Sequence, residues 1–214
     1  MILLEKICVM NMDNAVRGAR NPMSSWEKSD SYVDGKGSFV LGENDRNLTR
    51  RLCRAGSDHR KFIRQIFVSV DITAPLYWWK EFDTYKVATV ANSTSTMHRL
   101  HAKPLTLEDF STDRMSPQTL ERFGEVVDFL ESLRLKYIET KEKAVWDELI
   151  QFLPSSYQQL RTVTLNYETL INIYYARRGH KLKEWHTFCG MIETLPYAED
   201  FLLVREDGQD KQKR

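Results

Sequence analysis

The sequence has few of the residues that build covalent or metal frameworks. Its 214 residues include three cysteines, Cys8, Cys53 and Cys189, which are widely spaced and form no Cys-x-x-Cys pair. A disulfide framework or a zinc site is therefore not expected, and a reducing, cytoplasmic setting fits best. His98 and His101 are three residues apart, but no convincing third ligand follows them, so no metal site is predicted.

Long apolar runs and a strong excess of one charge are also missing. No run approaches the length of a membrane span, and Glu5 and Lys6 interrupt the short apolar opening, so neither a membrane helix nor a signal peptide is predicted. The formal net charge is only +1. A nucleic-acid binder or a polybasic membrane-surface protein would be more basic, so neither partner is expected.

Three common catalytic and nucleotide-binding motifs do not occur. The chain has no Gly-x-Gly-x-x-Gly, P-loop or Gly-x-Ser-x-Gly segment, which argues against the common dinucleotide folds, kinases and hydrolases. What remains is an ordinary globular composition, 42% hydrophobic and 29% charged. The length suits one domain. We predict a single α+β domain over residues 1–205 and a disordered polar tail over 206–214.

Periodicity, turn residues and capping residues predict the order of secondary structure. In chain order the predicted elements are a strand over residues 2–10, a loop over 11–38, a helix over 43–56, a strand over 62–73, a helix from Pro75, a loop over 91–98, helices from Ser116 and over 144–153, one long helix that begins at Ser155-Ser156 and includes 160–178, and a last helix over 182–194. This order predicts an α+β fold in which several long helices pack on a small antiparallel sheet.

The stretch TLNYETLINIYYARRGH, residues 164–180, carries polar residues on a predicted helix. On a helical wheel Asn166 and Arg177 fall beside the apolar stripe, and Asn172 lies farther round. One interpretation is a solvated face. The other is a ligand wall, because an amide suits the edge of an amide-bearing ring and a guanidinium suits phosphate. The wheel alone leaves both interpretations open.

The same region resembles the C-terminal half of the flavin-dependent thymidylate synthase family. The segment LPSSYQQLRTVTLNYETLINIYYARRGHKLKEWHTFC is similar to the family in the order and spacing of its polar residues. The matching positions are Leu153-Pro154, Thr164-x-Asn166, Leu170, Asn172, Arg177 and His180-x-x-x-Glu184. Upstream, IFVSVDITAPLYWWKEF resembles the family's strand that leads into a helix begun by proline.

The resemblance implies an activity and an assembly. Members of the family use FAD, reduced by NADPH, to carry a methylene group from methylenetetrahydrofolate to dUMP, and the product is dTMP. Their active sites form between the subunits of a homotetramer. By resemblance, Asn166 and Asn172 contact the flavin and Arg177 holds dUMP. The role of Arg177 has a physical reason, because a phosphate or uracil oxygen favours a charge-assisted, bidentate donor.

The chain departs from the family's Arg-His-Arg hallmark. An alignment on Ala74-Pro75 places Thr84-Tyr85-Lys86 at that position, where Lys86 keeps one positive charge. Ser93 keeps a hydroxyl in the polar stretch that follows, and Glu168 stands where the family often has arginine. The cations that remain to offset the missing arginines are Lys80, Lys86, Arg99 and Lys103.

Two further segments are compared with the family's site. Lys80 and Glu81 stand where it usually places Arg-Gln, and His59 precedes a strand much as a family histidine does. The resemblance therefore assigns His59 and Lys86 to the cofactor, and Lys80, Glu81 and Ser93 to the substrate. As plain structure, the segment WWKEFDTY at 78–85 is interpreted as a core helix with a charged outer face. The alternative function is a catalytically inactive nucleotide-binding or oligomeric scaffold protein of the same fold.

Overall fold

The computed structural model describes residues 1–204, so the tail predicted over 206–214 lies outside the described residues. The fold is α+β, with a small antiparallel sheet and several helices, as predicted. The strands are β1 (Leu3–Met10), β2 (Tyr32–Val33), β3 (Phe39–Val40), β4 (Phe67–Pro75), β5 (Thr89–Ser93) and β6 (Gln158–Asn166). The four longer strands form one sheet in the order β1-β4-β6-β5, and β2 pairs with β3.

The helices account for most of the remaining regular structure. They are α1 (Met12–Gly18), α2 (Glu43–Arg54), α3 (Leu76–Phe82), α4 (Thr96–Arg99), α5 (Pro117–Thr140), α6 (Lys143–Phe152), α7 (Tyr167–Arg177), α8 (Lys183–Glu193) and α9 (Ala198–Phe201). Helix α5 begins as predicted, with the Ser116 side chain accepting from the Thr119 amide and proline at the first position. The predictions for β1, α2, α3, α6 and α8 are also confirmed. The strand predicted over residues 62–73 is confirmed only from Phe67, where β4 begins, because residues 62–65 lie in a short 3-10 helix.

The long helix predicted from Ser155-Ser156 through residue 178 is wrong in its first half. Residues Gln158–Asn166 form strand β6, and the helix begins only at Tyr167. The run Thr162-Val163-Thr164 is β-branched, and such side chains fit a pleated strand better than a helix. Leu160, an apolar residue of this strand, is 37% exposed. The helical spacing that holds from Tyr167 onward was therefore wrongly extended back over residues 158–166, which form a strand.

Two predicted loops contain regular structure. In the segment 11–38, Met12, Ala15 and Val16 are buried on one face of α1. This spacing of three and four residues is typical of a helix. The segment was predicted as a loop because the Asn and Asp residues beside these positions are also typical of loops. The segment 91–98 contains the end of β5 and the start of α4, where Ser95 accepts a hydrogen bond from the amide of His98. Small polar residues marked a loop there, although serine also caps helices.

The described chain divides into two compact units. Unit 1 comprises residues 1–3, 71–84 and 91–162, and unit 2 comprises residues 4–70, 85–90 and 163 onward. The core of unit 1 contains Leu100, Leu105, Phe110, Val127, Leu130, Leu133, Val145 and Leu149. Fully buried side chains of unit 2 include Ile63, Ile66, Val68, Tyr167, Trp185, Phe188 and Phe201.

Helix α3 belongs to unit 1, and its aromatic residues are packing residues. Trp78, Trp79 and Phe82 are buried, and their rings contact one another at centroid distances of 5.0–5.3 Å. The Trp79 indole N–H donates to the Gln159 carbonyl at 3.0 Å, and the Arg161 guanidinium lies 4.2 Å from a Trp79 ring centroid. Residues 78–82 of the segment WWKEFDTY therefore belong to a core helix, as interpreted from the sequence, whereas residues 83–85 follow the helix.

Candidate functional site

In unit 2, Arg177 ends helix α7 and lies between two aromatic side chains. Its Nε donates to the hydroxyl of Tyr85 at 2.8 Å. The guanidinium carbon is 5.6 Å from the Tyr85 ring centroid and 4.9 Å from the Trp185 ring centroid. These are cation–π distances. The Tyr85 hydrogen bond and the two ring faces thus restrain a side chain that is usually mobile.

The aromatic residues around Arg177 are themselves fixed. Trp185 is fully buried in α8 and packs edge-on against Tyr85 at 6.0 Å and against His180 at 6.4 Å. The hydroxyl of Thr169, on α7, donates to the carbonyl of Val87 at 2.9 Å. Segment 85–90 is thereby tied to the helix that carries Arg177. We call Tyr85, Arg177, His180 and Trp185 the arginine cluster.

Asn166 caps helix α7 and is 95% buried, with 5% of its surface exposed. Its side-chain oxygen accepts from the Thr169 amide at 2.9 Å and lies 3.1 Å from the Thr169 hydroxyl oxygen, while its Nδ2 donates to the Arg64 carbonyl at 3.0 Å. These bonds satisfy a helix N-terminus at the point where β6 becomes α7. The interpretation of Asn166 as part of a helical face is therefore wrong, although an asparagine ahead of an apolar helix was a readable capping signal.

The other residues assigned to the cofactor have exposed side chains. Asn172 lies on α7 between the buried residues Ile171 and Ile173, and it faces outward. His59, which precedes the short turn at 61–65, is exposed, and so is Lys86, which follows Tyr85. Lys86 thus neighbours the arginine cluster in sequence. An amide, an imidazole and an ammonium group are available at the surface of this unit.

Glu168 takes part in a buried ion pair that the sequence analysis did not foresee. Arg60 Nε and Nη2 donate to its two carboxylate oxygens at 3.0 and 2.9 Å, and Arg64 Nε lies 3.9 Å from the same carboxylate. Arg60 is 4% exposed. The acid at a position where the family often has arginine is thus neutralised inside the protein. No spacing in the sequence indicates this pair, because 108 residues separate the partners.

Unit 1 contains a polar cleft of about 470 Å³. It is lined by hydroxyl-bearing side chains, two cations, two acids and Gln158, with Leu160 and Ala102 completing the wall. The hydroxyl-bearing and charged residues are Thr73, Thr94, Ser95, Thr96, Tyr157, Arg99, Lys103, Glu108 and Asp109. The exposed Ser93 immediately precedes this wall. Lys80 is exposed and Glu81 is half-buried, and neither lines the cleft.

Two of the charged residues in the cleft, Lys103 and Asp109, lie near Tyr157. Lys103 forms an ion pair with Asp109, and the hydrogen bond between them raises the pKa of Lys103. Burial raises the pKa of Tyr157, and the nearby Asp109 carboxylate raises it further. Tyr157 is therefore a protonated hydroxyl at neutral pH and can donate to a ligand oxygen. Together with the hydroxyls and Arg99, it makes the cleft suited to a polar, oxygen-rich ligand.

Residues 1–204 contain no group of three or more His, Cys, Asp or Glu side chains that could hold a metal ion. Within the same range no helix is both long and apolar enough to cross a membrane.

The fold is similar to that of solved nucleotide-modifying enzymes. No family model matches the sequence, and no curated protein matches it. The flavin dependent thymidylate synthase ThyX from Helicobacter pylori, complexed with FAD and dUMP, is 20% identical, with a TM-score of 0.67 over 96% of this chain and 99% of that chain. A second structure of that enzyme with FAD and dUMP is 21% identical, with a TM-score of 0.65 over 94% and 95% of the two chains.

A third solved structure extends the likeness to a related methylase. The UMP/dUMP methylase PolB from Streptomyces cacaoi, bound with 5-Br dUMP, is 15% identical, with a TM-score of 0.63 over 91% of this chain and 89% of that chain. At these identities the likeness shows the fold. The chain therefore has the fold of the flavin-dependent thymidylate synthases along nearly its whole length.

Proposed function

We propose that this chain is a flavin-dependent thymidylate synthase-like protein that methylates dUMP to dTMP with FAD, NADPH and methylenetetrahydrofolate. The observation that carries the proposal is the shared fold over 96% of the chain with a thymidylate synthase complexed with FAD and dUMP. Fold alone does not specify chemistry, so the proposal also depends on the residues that could contact the ligands. The proposal includes a single domain over residues 1–205, a homotetramer and a cytoplasmic setting.

For dUMP, the proposed contact is the guanidinium of Arg177. It is an always-charged, planar donor, and such donors bind phosphate and carbonyl oxygens in pairs. Its Nε bond to Tyr85 and its place over Trp185 fix it at the end of α7. Lys80, Glu81 and Ser93 remain proposed substrate residues, the first two on α3 and the third beside the polar cleft of unit 1.

For FAD, the groups that unit 2 presents fit the cofactor in chemical type. The exposed side chains of Asn172, His59 and Lys86 would offer an amide to the ring and positive or neutral donors to the pyrophosphate. Glu168 does not oppose this anion, because Arg60 neutralises it. Asn166 would act by holding the start of α7, since its oxygen already accepts the Thr169 amide and its Nδ2 already donates to the Arg64 carbonyl. Bound FAD would supply the redox chemistry and carry the one-carbon unit.

The test is the absorption spectrum of the purified protein, followed by titration with FAD and dUMP. Flavin absorbance that dUMP perturbs, with dTMP formed when NADPH and methylenetetrahydrofolate are added, supports the proposed function. Binding of dUMP without flavin would instead support an inactive nucleotide-binding protein of the same fold. A defined oligomer that binds neither compound would support a scaffold and refute the proposal.

A further inference from the structure

The arginine cluster joins three segments of unit 2 that are distant in sequence. Tyr85 comes from the segment after α3, Arg177 from the end of α7 and Trp185 from α8. The Tyr85 hydroxyl accepts the Nε–H of Arg177 at 2.8 Å across 92 residues. The fold therefore brings an acceptor and an aromatic wall to one guanidinium.

We propose that Tyr85 is a positioning residue, which presets the Arg177 guanidinium for an oxyanion or carbonyl oxygen of a pyrimidine nucleotide, with Trp185 as the supporting wall. This inference rests on the proposed function, in which Arg177 contacts dUMP. Tyr85 itself acts through Arg177.

The hydrogen bond and the ring contact restrict different motions. A bond from Nε fixes rotation about the end of the side chain, because Nε belongs to the guanidinium plane. The Trp185 ring, 4.9 Å from the guanidinium carbon, supports the face of that plane. Arginine loses much rotamer freedom when it binds a ligand. An orientation set before binding removes part of that loss and raises affinity.

The positioning groups are held independently of any ligand. Thr169 bonds to the Val87 carbonyl two residues after Tyr85, and Trp185 is fully buried in α8. Asn166 caps the helix that ends at Arg177. A change limited to the Tyr85 hydroxyl should therefore alter the guanidinium and leave the fold intact.

The experiment is a double-mutant cycle with Tyr85→Phe and Arg177→Ala, measured by calorimetric titration with dUMP. Tyr85→Phe keeps the ring and removes the acceptor, so we expect the Kd for dUMP to rise about tenfold, the lower end for a hydrogen bond to a charged group. In the Arg177→Ala background the same change should have no further effect, because its action passes through Arg177. Tyr174→Phe is the matched control. It removes a hydroxyl that donates to Glu193 at 2.8 Å in the same unit, and it should leave the Kd unchanged.

A second readout needs no nucleotide. In a ¹⁵N NMR spectrum, the Arg177 Nε–H signal is identified by its loss in Arg177→Ala. Tyr85→Phe should shift this signal and speed its exchange with solvent. An unshifted signal, or an equal loss of dUMP affinity in both backgrounds, overturns the positioning role. If the unsubstituted protein binds no dUMP, the proposed function fails, and with it the nucleotide as the ligand, whereas a shifted signal still establishes that Tyr85 orients Arg177.

Discussion

Arg60 and Glu168 form a two-point ion pair inside unit 2, with nitrogen-to-oxygen distances of 3.0 and 2.9 Å. Arg60 precedes the turn at 61–65, and Glu168 lies in the first turn of α7. An acid in the first turn is also favoured by the helix dipole. The pair therefore joins the segment before β4 to the start of the helix that carries Arg177.

Removing one partner of this pair should destabilise the protein strongly. Arg60→Met leaves the Glu168 carboxylate without its main cation in a poorly hydrated place. We expect the free energy of unfolding to fall by about 3 kcal/mol, near the lower end for breaking a buried pair, since Glu168 keeps 14% exposure. The measurement is urea denaturation at pH 7.

The matched control for that change is Arg122→Met. Arg122 pairs with Glu125 at 2.7 Å, but both side chains are more than half exposed. Exposed pairs contribute little, so the loss should stay below about 1 kcal/mol. Equal losses in the two variants would show that the Arg60 pair is no more important than a surface pair.

Asp45 is the buried centre of a polar network that holds the segment before α2. Its carboxylate accepts from Arg20 Nε at 2.5 Å, from the Ser29 hydroxyl at 2.7 Å and from the Ser31 hydroxyl at 2.6 Å. Asp45→Asn leaves the buried Arg20 without a counter-charge. The free energy of unfolding should therefore fall by about 3–5 kcal/mol. Asp58→Asn, at an exposed position, should change stability by less than about 0.5 kcal/mol. Thermal denaturation of both variants tests this.

The same carboxylate predicts an acid dependence. Burial alone would raise the pKa of Asp45, but hydrogen bonds from Ser31, Ser29 and Arg20 outweigh it and hold the pKa below the ordinary value of 3.8. A lowered folded pKa gives stability that is present above pH 3.8 and lost as the pH falls through the folded value. Asp30, the neighbouring acid, bonds to the amides of Asn44 and Asp45.

The measurement is the unfolding free energy between pH 6 and pH 2, for the unsubstituted protein and for Asp45→Asn. The difference between the two should shrink as the solution becomes more acidic than pH 3.8. A constant difference over the whole range would assign the effect of the substitution to packing and not to charge.

The three cysteines should react very unequally with a thiol reagent. Burial raises the pKa of Cys53 to about 12 and that of Cys189 to about 11, and both thiols are buried, whereas Cys8 is exposed. Because the thiolate is the reactive form, only Cys8 should be labelled in the native protein at pH 7.5. Mass spectrometry after brief alkylation tests this. In denaturant, Cys53 and Cys189 should also be labelled. Rapid native labelling of Cys53 would contradict the prediction.

The pattern of residues close together in the sequence predicted much of the fold but few of the contacts at the candidate site. The Ser116 cap and the alternation within the strand predicted over 62–73 depend on neighbours in sequence. The cap is confirmed, and the strand is confirmed from Phe67 onward. The strand at 158–166 was mistaken for helix because one spacing was extended across Asn166. The bonds from Tyr85 to Arg177 and from Arg60 to Glu168 cross 92 and 108 residues, so no local period encodes them. The family resemblance pointed to Arg177 as a site residue, but only the structure shows its contacts with Tyr85 and Trp185.

Asn166 should contribute to stability as a cap, and this can be separated from any contact with flavin. Asn166→Ala removes the acceptor for the Thr169 amide and the donor to the Arg64 carbonyl, both in a buried place. We expect a loss of about 2–3 kcal/mol, the sum of a cap and an unsatisfied buried group. Asn166→Ser keeps a capping hydroxyl, so it should lose less than the alanine variant in urea denaturation. If FAD affinity falls equally in both variants although their stabilities differ, Asn166 contacts the cofactor directly. If affinity follows stability, the residue acts by holding the start of α7.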